Sequence, residues 1–152
     1  MIFKVESIKE PDSERLTFNI VSRYPRCFGG VFTIIDTGSP RTIISAKDAY
    51  LLKIPITNFQ DAKDIKGFGK GGLPCKKIDK FKFYIKSEDN QIRNIEMPVY
   101  VVDIVQLNNM NKDLKENAYK IPSIIGLDFL KSQNLKLIVD LQNASYFQEI
   151  NA

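Results

Sequence analysis

Apolar and polar residues alternate with the period of a β-strand along several segments of the chain. The clearest case is KIDKFKFYIK at residues 77–86, which places Phe81, Phe83 and Ile85 on one face and lysines on the other. The apolar run GGVFTIID at residues 29–36 predicts a strand that is buried on both faces. Further strands are predicted at residues 16–22, 42–45 and 95–104, and as two segments within 135–150 around a turn near Gln142 and Asn143.

Two short helices are predicted between these strands. Ser45 is followed three residues later by Asp48, a capping pattern that predicts a helix from residue 46, and Pro55 limits its length. A second helix is predicted to begin at Asp128. Residues 105–120 are polar and rich in amides, which predicts a loop or a short helix on the surface. Because the chain shows no repeat, low-complexity tract or linker, we expect one mainly β domain over residues 1–152.

The composition agrees with a single globular domain. Of the 152 residues, 43% are hydrophobic, which is enough for one real core. Charged residues interrupt the apolar residues of the N-terminus, so neither a signal peptide nor a membrane span or membrane partner is predicted. Cys27 and Cys75 are too few for a four-ligand zinc site and are expected to be free thiols, which predicts a reducing, cytoplasmic location.

The absence of histidine excludes several classes of enzyme. The chain contains no histidine, so Ser-His-Asp and Cys-His hydrolases and histidine-ligated zinc enzymes are excluded together. Acid–base chemistry must come from carboxylates or lysines, and we expect no metal and no cofactor. The net charge of +4 favours a solvated lysine-rich face, and since Phe81 and Phe83 point away from the lysines, no nucleic-acid partner is expected.

Half of the glycines lie in one short segment, IKGFGKGGLP at residues 65–74. Gly67, Gly69 and Gly72 formally match the G-x-G-x-x-G pattern of dinucleotide-binding proteins. That pattern requires a hydrophobic strand before it and a helix after it, and neither is predicted here. The glycines are better explained as the tip of a hairpin that covers a cleft.

An acidic residue ends the most apolar strand of the chain. In VFTIIDTGSPRTIIS at residues 31–45, Asp36 follows the apolar run directly and precedes Thr37, Gly38 and Ser39. A carboxylate at the end of a buried strand costs free energy unless it is hydrogen-bonded, paired or used. Without histidine or a metal, its direct catalytic use is to share a proton with a second carboxylate and activate a water molecule.

These segments resemble the retropepsins, the retroviral-type aspartic proteases and their cellular and prokaryotic relatives. The resemblance lies in IIDTGS, the following TIIS, the glycine-rich segment, SIIGLDFL and LKLIVDLQNASYF, and it extends over residues 16–150. It implies an all-β acid protease barrel whose active site forms at a homodimer interface. It also implies cleavage of peptide bonds in a peptide or protein substrate.

The resemblance assigns expected roles to individual residues. Asp36 resembles the catalytic aspartate, and the hydroxyl of Thr37 is expected to brace the two active-site loops across the dimer. The other implied residues are Gly38, Ser39, Ile125 and Gly126 as support for the active site, and Gly67, Phe68, Gly69, Lys70 and Gly71 as the substrate-binding flap. We also expect the Ser39 hydroxyl to donate a hydrogen bond to Asp36.

The chain departs from the viral pattern at three positions. Where the viral enzymes carry acidic residues and a paired arginine, this sequence has Pro40, Arg41 and Leu127. Since there is a single D-T-G, an active enzyme needs two chains that each supply one Asp36. The alternative is a retropepsin-like module that has lost turnover and serves in peptide binding or dimerisation.

Overall fold

The computed structural model describes residues 1–66 and 72–150, which form ten strands and four α-helices. The strands are β1 Ile2–Glu10, β2 Ser13–Tyr24, β3 Cys27–Ile35, β4 Ile43–Ile44, β5 Gln60–Ile65, β6 Leu73–Lys86, β7 Ile92–Val102, β8 Ser123–Ile125, β9 Leu135–Ile138 and β10 Ser145–Glu149. The helices are α1 Ala46–Leu51, α2 Ile104–Leu107, α3 Lys112–Lys120 and α4 Leu127–Gln133, and a 3₁₀ turn spans Ile56–Asn58.

The strands form one sheet that closes on itself. Their order is β5-β6-β7-β4-β8-β3-β2-β1-β10-β9, and β6 also pairs with β2 through Val21 opposite Tyr84 and Ser22 opposite Phe83. This extra pairing joins β6, β7, β4, β8, β3 and β2 into a closed ring. The predicted all-β barrel is therefore confirmed.

The core fills the ring with aromatic and branched side chains. Phe81, Phe83 and Ile85 are at most 1% exposed, as the alternation in β6 predicts. At one end of the barrel, Phe129 of α4 packs against Phe147 with ring centroids 5.5 Å apart. Because α4 is held in the core by Phe129, the loop that precedes it has a fixed position.

The local signals predict several elements correctly. The Ser45 side chain accepts a hydrogen bond from the backbone nitrogen of Asp48 at 3.1 Å, so α1 begins with the predicted cap. Strands β5 and β6 pair antiparallel, with Ile65 opposite Leu73.

The prediction of two short helices is wrong in number, because the segment 105–120 contains most of α2 and all of α3. Asp103 accepts a hydrogen bond from the nitrogen of Gln106 at 3.0 Å, and Asn111 accepts one from Asp113 at 2.7 Å, so each helix has its own N-cap. Leu107 and Ala118 are buried in a second cluster that covers β6 and β7. The polar composition of the segment hides these few apolar contacts.

Strands β1 and β5 are absent from the sequence-based prediction. In β1 every residue after Val5 is exposed, and in β5 no residue is fully buried. Both strands are held by pairing with distant parts of the chain: β1 with β10 and β2, and β5 with β6. Of the helices in residues 1–66 and 72–150, none is long and apolar enough to cross a membrane.

Candidate active site

Asp36 lies immediately after the central strand of the barrel. Strand β3 pairs in parallel with β8, with Ile34 opposite Ile124 and Ile35 opposite Ile125. The backbone nitrogen of Asp36 continues this ladder and donates to the carbonyl of Ile125 at 2.9 Å. In the single chain Asp36 is exposed to solvent, so the expectation of a buried carboxylate is wrong for one protomer. The final residues of β3 are only half-buried at this end of the barrel.

The carboxylate of Asp36 is held from one side. Its Oδ1 accepts a hydrogen bond from the backbone nitrogen of Gly38 at 2.9 Å. The backbone carbonyl of Asp36 accepts a hydrogen bond from the backbone nitrogen of Ser39 at 3.1 Å. Within the described part of the chain, Oδ2 has no hydrogen-bond partner. The turn thus orients one oxygen and leaves the other available to a water molecule or a second protein chain.

Thr37 lies at the tip of this turn. It is exposed, and its hydroxyl makes no hydrogen bond to the residues that the structure describes. Gly38 is also exposed, and a Cβ at this position would lie 3.2 Å from Oδ1 of Asp36. A small residue therefore fits the turn best.

Gly126 packs directly against the loop that follows Asp36. A Cβ at this position would lie 2.4 Å from the carbonyl oxygen of Arg41 and 2.7 Å from that of Ser39. Next to it, the nitrogen of Leu127 donates to the carbonyl of Ser39 at 2.9 Å. The structure therefore brings Ile125 and Gly126 together with the Asp36 loop, and only glycine permits this close approach.

Asp128 joins the same two segments through its side chain. Its carboxylate accepts two hydrogen bonds from Thr42, one from the backbone nitrogen at 2.9 Å and one from the hydroxyl at 2.7 Å. The same hydroxyl accepts a hydrogen bond from the backbone nitrogen of Gly126 at 3.2 Å. From the sequence, Asp128 is predicted only as the start of a helix. Its position two residues after the late glycine is the one signal that relates it to the active-site loop.

The Ser39 hydroxyl does not bind the carboxylate of Asp36. It donates to the carbonyl of Arg41 at 2.8 Å, so the expected hydrogen bond to the Asp36 carboxylate is absent. Serine hydroxyls often bond to backbone groups two residues away, and this local contact competes with the expected one. Ser39 thus stabilises the loop.

A cleft of about 390 Å³ opens beside Asp36. The Asp36 loop forms one wall, and residues 63–66 at the end of β5 form the other. Its lining residues are Asp36, Gly38, Ser39, Pro40, Arg41, Ile43, Lys63, Asp64, Ile65, Lys66 and Ile124. The predicted flap residues Gly67, Phe68, Gly69, Lys70 and Gly71 lie outside the described residues, whereas residues 63–66 before them border the cleft.

Strand β5 is anchored by an ion-pair network. The Lys76 ammonium group lies 2.6 Å from Asp61 on β5 and 4.0 Å from Asp103 at the N-cap of α2. The hydrogen bond to Asp61 is the main reason that the pKa of Lys76 is raised. Strand β5 is thereby linked through Lys76 of β6 to the N-terminus of α2.

The cysteine nearest the cleft is unsuited to nucleophilic catalysis. Both cysteines are free and buried, and the thiol of Cys75 donates to the carbonyl of Lys63 at 3.0 Å. Burial raises the pKa of Cys75 to about 11, so at neutral pH it is a thiol and not the nucleophilic thiolate. No group of three potential metal-ligating side chains occurs within residues 1–66 and 72–150.

Solved structures of aspartic proteases are similar to this chain. A retropepsin-like aspartic protease from Rickettsia conorii matches 98% of this chain and 89% of its own, with a TM-score of 0.60 and 12% identity. The retroviral protease-like domain of Ddi1 from Leishmania major matches 88% of this chain and 94% of its own, with a TM-score of 0.48 and 13% identity. EIAV protease in complex with the inhibitor HBY-793 matches 87% of this chain and 100% of its own, with a TM-score of 0.43 and 18% identity.

Neither a protein-family model nor a curated protein sequence matches the chain. The similarity to the Rickettsia conorii protein is one of fold. The chain therefore has a retropepsin-like fold, as its sequence motifs predict.

Proposed function

We propose that the chain is the protomer of a homodimeric aspartic endopeptidase. The observation that carries this proposal is the position of Asp36 beside the cleft, with Oδ1 held by Gly38 and Oδ2 without a partner among the described residues. A carboxylate oriented in this way can accept a proton from a water molecule. The retropepsin-like fold supports the same reaction class.

Two copies of the chain are needed because each supplies one carboxylate. The sequence contains a single D-T-G, and one carboxylate cannot act as both acid and base toward the same water molecule. Asp36 and Thr37 are exposed in the single chain, and the side chain of the neighbouring Leu127 is 45% exposed. A second copy related by two-fold symmetry would cover these residues and bring the two Asp36 side chains together.

In the proposed reaction the two Asp36 carboxyl groups share one proton. The ionised carboxylate takes a proton from water, and the water oxygen forms a bond to the carbonyl carbon of the peptide. The protonated carboxyl group gives its proton to the carbonyl oxygen, which produces a tetrahedral diol. The carboxyl group that took the proton from water gives it to the peptide nitrogen as the carbon–nitrogen bond breaks. One hydroxyl of the diol returns its proton to the other carboxylate, so the pair again holds a single proton.

An extended peptide suits the cleft because β5 is an edge strand. It stands at one end of the strand order, and residues 63–66 at its end line the cleft. Extended peptides bind edge strands through backbone hydrogen bonds and use side-chain pockets for selectivity. The two free cysteines support a reducing compartment, and we propose the cytoplasm as the site of action.

Cleavage of a diverse peptide mixture tests the proposal. Products would be identified by mass spectrometry across the acidic to neutral range for the wild type, Asp36→Asn and Asp12→Asn, the last an exposed aspartate in the turn between β1 and β2. We expect new peptide termini with the wild type and Asp12→Asn and none with Asp36→Asn. Products that persist in Asp36→Asn would contradict the role of Asp36, whereas peptide binding without cleavage by the wild type would favour the inactive binding module.

A further inference from the structure

Arg41 occupies a fixed position on the wall of the cleft. Its backbone carbonyl accepts a hydrogen bond from the Ser39 hydroxyl at 2.8 Å, and Gly126 packs against the same carbonyl. Its guanidinium carbon lies 4.4 Å from the ring centroid of Tyr100. Backbone and side chain are therefore both positioned before any ligand binds, which reduces the entropy that binding would cost.

The hydrogen-bond donors of this guanidinium are not used by any residue that the structure describes. The ring of Tyr100 covers one face of the group, whereas the donors of a guanidinium point outward in its plane. In the parts of the chain that the structure describes, the Arg41 side chain makes no ion pair and no hydrogen bond, unlike Arg93, which pairs with Glu149. Arg41 is half-buried and is one of the residues that line the cleft.

The nearby acidic groups do not pair with Arg41. Asp103 contacts Lys76 and accepts a hydrogen bond from the backbone nitrogen of Gln106. The neighbouring thiol of Cys75 is uncharged at neutral pH. Asp64 lines the cleft but does not lie within ion-pair distance of the guanidinium. With Lys63 and Lys66 on the opposite wall, the described residues of the cleft include three cationic side chains and two carboxylates, one of which is Asp36.

We propose that Arg41 is a specificity-determining residue that binds the carboxylate of a glutamate or aspartate side chain in the peptide. The proposal rests on the proposed function in so far as the cleft is taken as the peptide site. A guanidinium matches a carboxylate through two parallel hydrogen bonds, and such charge-assisted bonds are stronger than neutral ones. Peptides with an acidic side chain beside the scissile bond are thus the preferred substrate class.

Binding and cleavage are measured separately to test this proposal. The probes are two fluorescent peptide pools with blocked termini that are identical except for glutamate or glutamine at one fixed position, so that the only added carboxylate is a side chain. Binding is measured by anisotropy with Asp36→Asn, which does not turn the peptides over in the proposed mechanism. We expect the glutamate pool to bind roughly tenfold more tightly, with the ratio falling as salt is added.

Substitutions at Arg41 should change that ratio in a graded way. In the Asp36→Asn background, Arg41→Gln should bring the ratio to about one, Arg41→Lys should retain part of it, and Arg41→Glu should favour a third pool with lysine at the fixed position. Arg23 provides a matched control, because its guanidinium carbon also lies 4.4 Å from a tyrosine ring, that of Tyr84, but outside the cleft. Arg23→Gln should keep the full preference for glutamate.

The outcomes separate this inference from the proposed function. Equal binding of the two pools, no binding of either, or loss of the preference in Arg23→Gln would overturn the role of Arg41. Cleavage of both pools with equal kcat/KM would also overturn it while leaving the endopeptidase in place. If glutamate peptides bind preferentially through Arg41 but the wild type cleaves nothing, the endopeptidase is refuted and the role of Arg41 stands.

Discussion

Thr42 donates two hydrogen bonds to the carboxylate of Asp128, one from its backbone nitrogen at 2.9 Å and one from its hydroxyl at 2.7 Å. The two residues belong to segments that are far apart in sequence, the loop after Asp36 and the first turn of α4. Since Thr42 is fully buried, neither donor can be satisfied by bulk water when the carboxylate is removed.

We expect Asp128→Ala to lower the free energy of unfolding markedly. Each buried donor that loses its partner costs about 1–3 kcal/mol. Urea unfolding measures the effect, and Asp113→Ala is the matched control because Asp113 is an exposed acid in the first turn of α3. Similar small losses in the two variants would show that the contact between Thr42 and Asp128 contributes little.

We expect Gly126→Ala to destabilise the protein strongly. The new methyl carbon would lie 2.4 Å from the carbonyl oxygen of Arg41, so the loop that carries Asp36 would have to move. Gly30→Ala is the control, since a Cβ at that position meets nothing within 4 Å. We expect a large fall in melting temperature and loss of peptidase activity for Gly126→Ala alone. A folded and active Gly126→Ala protein would contradict the close approach of Gly126 to the carbonyl of Arg41.

Ser39→Ala should affect stability and leave the pH profile in place. The hydroxyl donates to the carbonyl of Arg41 and not to Asp36, so its removal costs about 0.5–1.5 kcal/mol of loop stability. The limbs of the kcat/KM profile should not shift when activity is followed across pH. If both limbs move, Ser39 contacts the carboxylate pair in the assembled dimer.

An excess of Asp36→Asn should suppress the activity of wild-type chains. If the chains exchange freely and a mixed dimer is inactive, about ninefold excess leaves roughly one tenth of the activity per wild-type chain. The assay follows cleavage after mixing and re-equilibration, with light scattering to measure mass. Activity that depends only on the wild-type concentration, in a protein of monomer mass, would rule out the shared site.

Stability should fall at alkaline pH because of Cys75. Burial raises the pKa of this thiol from 9.0 to about 11, so the unfolded chain loses the thiol proton at a lower pH than the folded chain. The stabilisation is complete below about pH 9 and is lost progressively as pH rises toward 11, by about 1 kcal/mol at pH 10. Urea unfolding between about pH 8 and 10 should show this decline in the wild type and a smaller one in Cys75→Ala. Parallel curves would contradict the assigned pKa.

The sequence predicts those parts of the site whose signals are local. Asp36 follows an uninterrupted apolar strand, and Ser45 caps α1 through Asp48 three residues later, so each pattern lies within one segment. The contact between Thr42 and Asp128 spans two segments, and no property of either residue alone indicates it. The hydroxyl of Ser39 donates to the carbonyl of Arg41, and this choice of acceptor depends on the loop geometry, which the sequence does not give.

The same limit explains the strands that were not predicted. Strand β5 is polar because it lies at the edge of the sheet, and its partner β6 carries the apolar alternation. Helices α2 and α3 bury few side chains, and their caps at Asp103 and Asn111 are the main local signals. Elements that depend on partners more than on their own apolar residues are the hardest to infer from sequence.

The pairing of β1 with β10 has a consequence for the order of folding. Ile2 lies opposite Gln148, so the first strand cannot complete its ladder until residues 145–148 have been synthesised. The hairpin of β1 with β2 needs only neighbouring residues and can form early. Long-range pairing of this kind slows folding, because the entropy of closing a large loop is lost before the contacts form. During synthesis on a ribosome, residues 2–5 would therefore remain without their β10 partner until residues 145–148 emerge. A chain truncated before residue 145 would keep that edge unpaired.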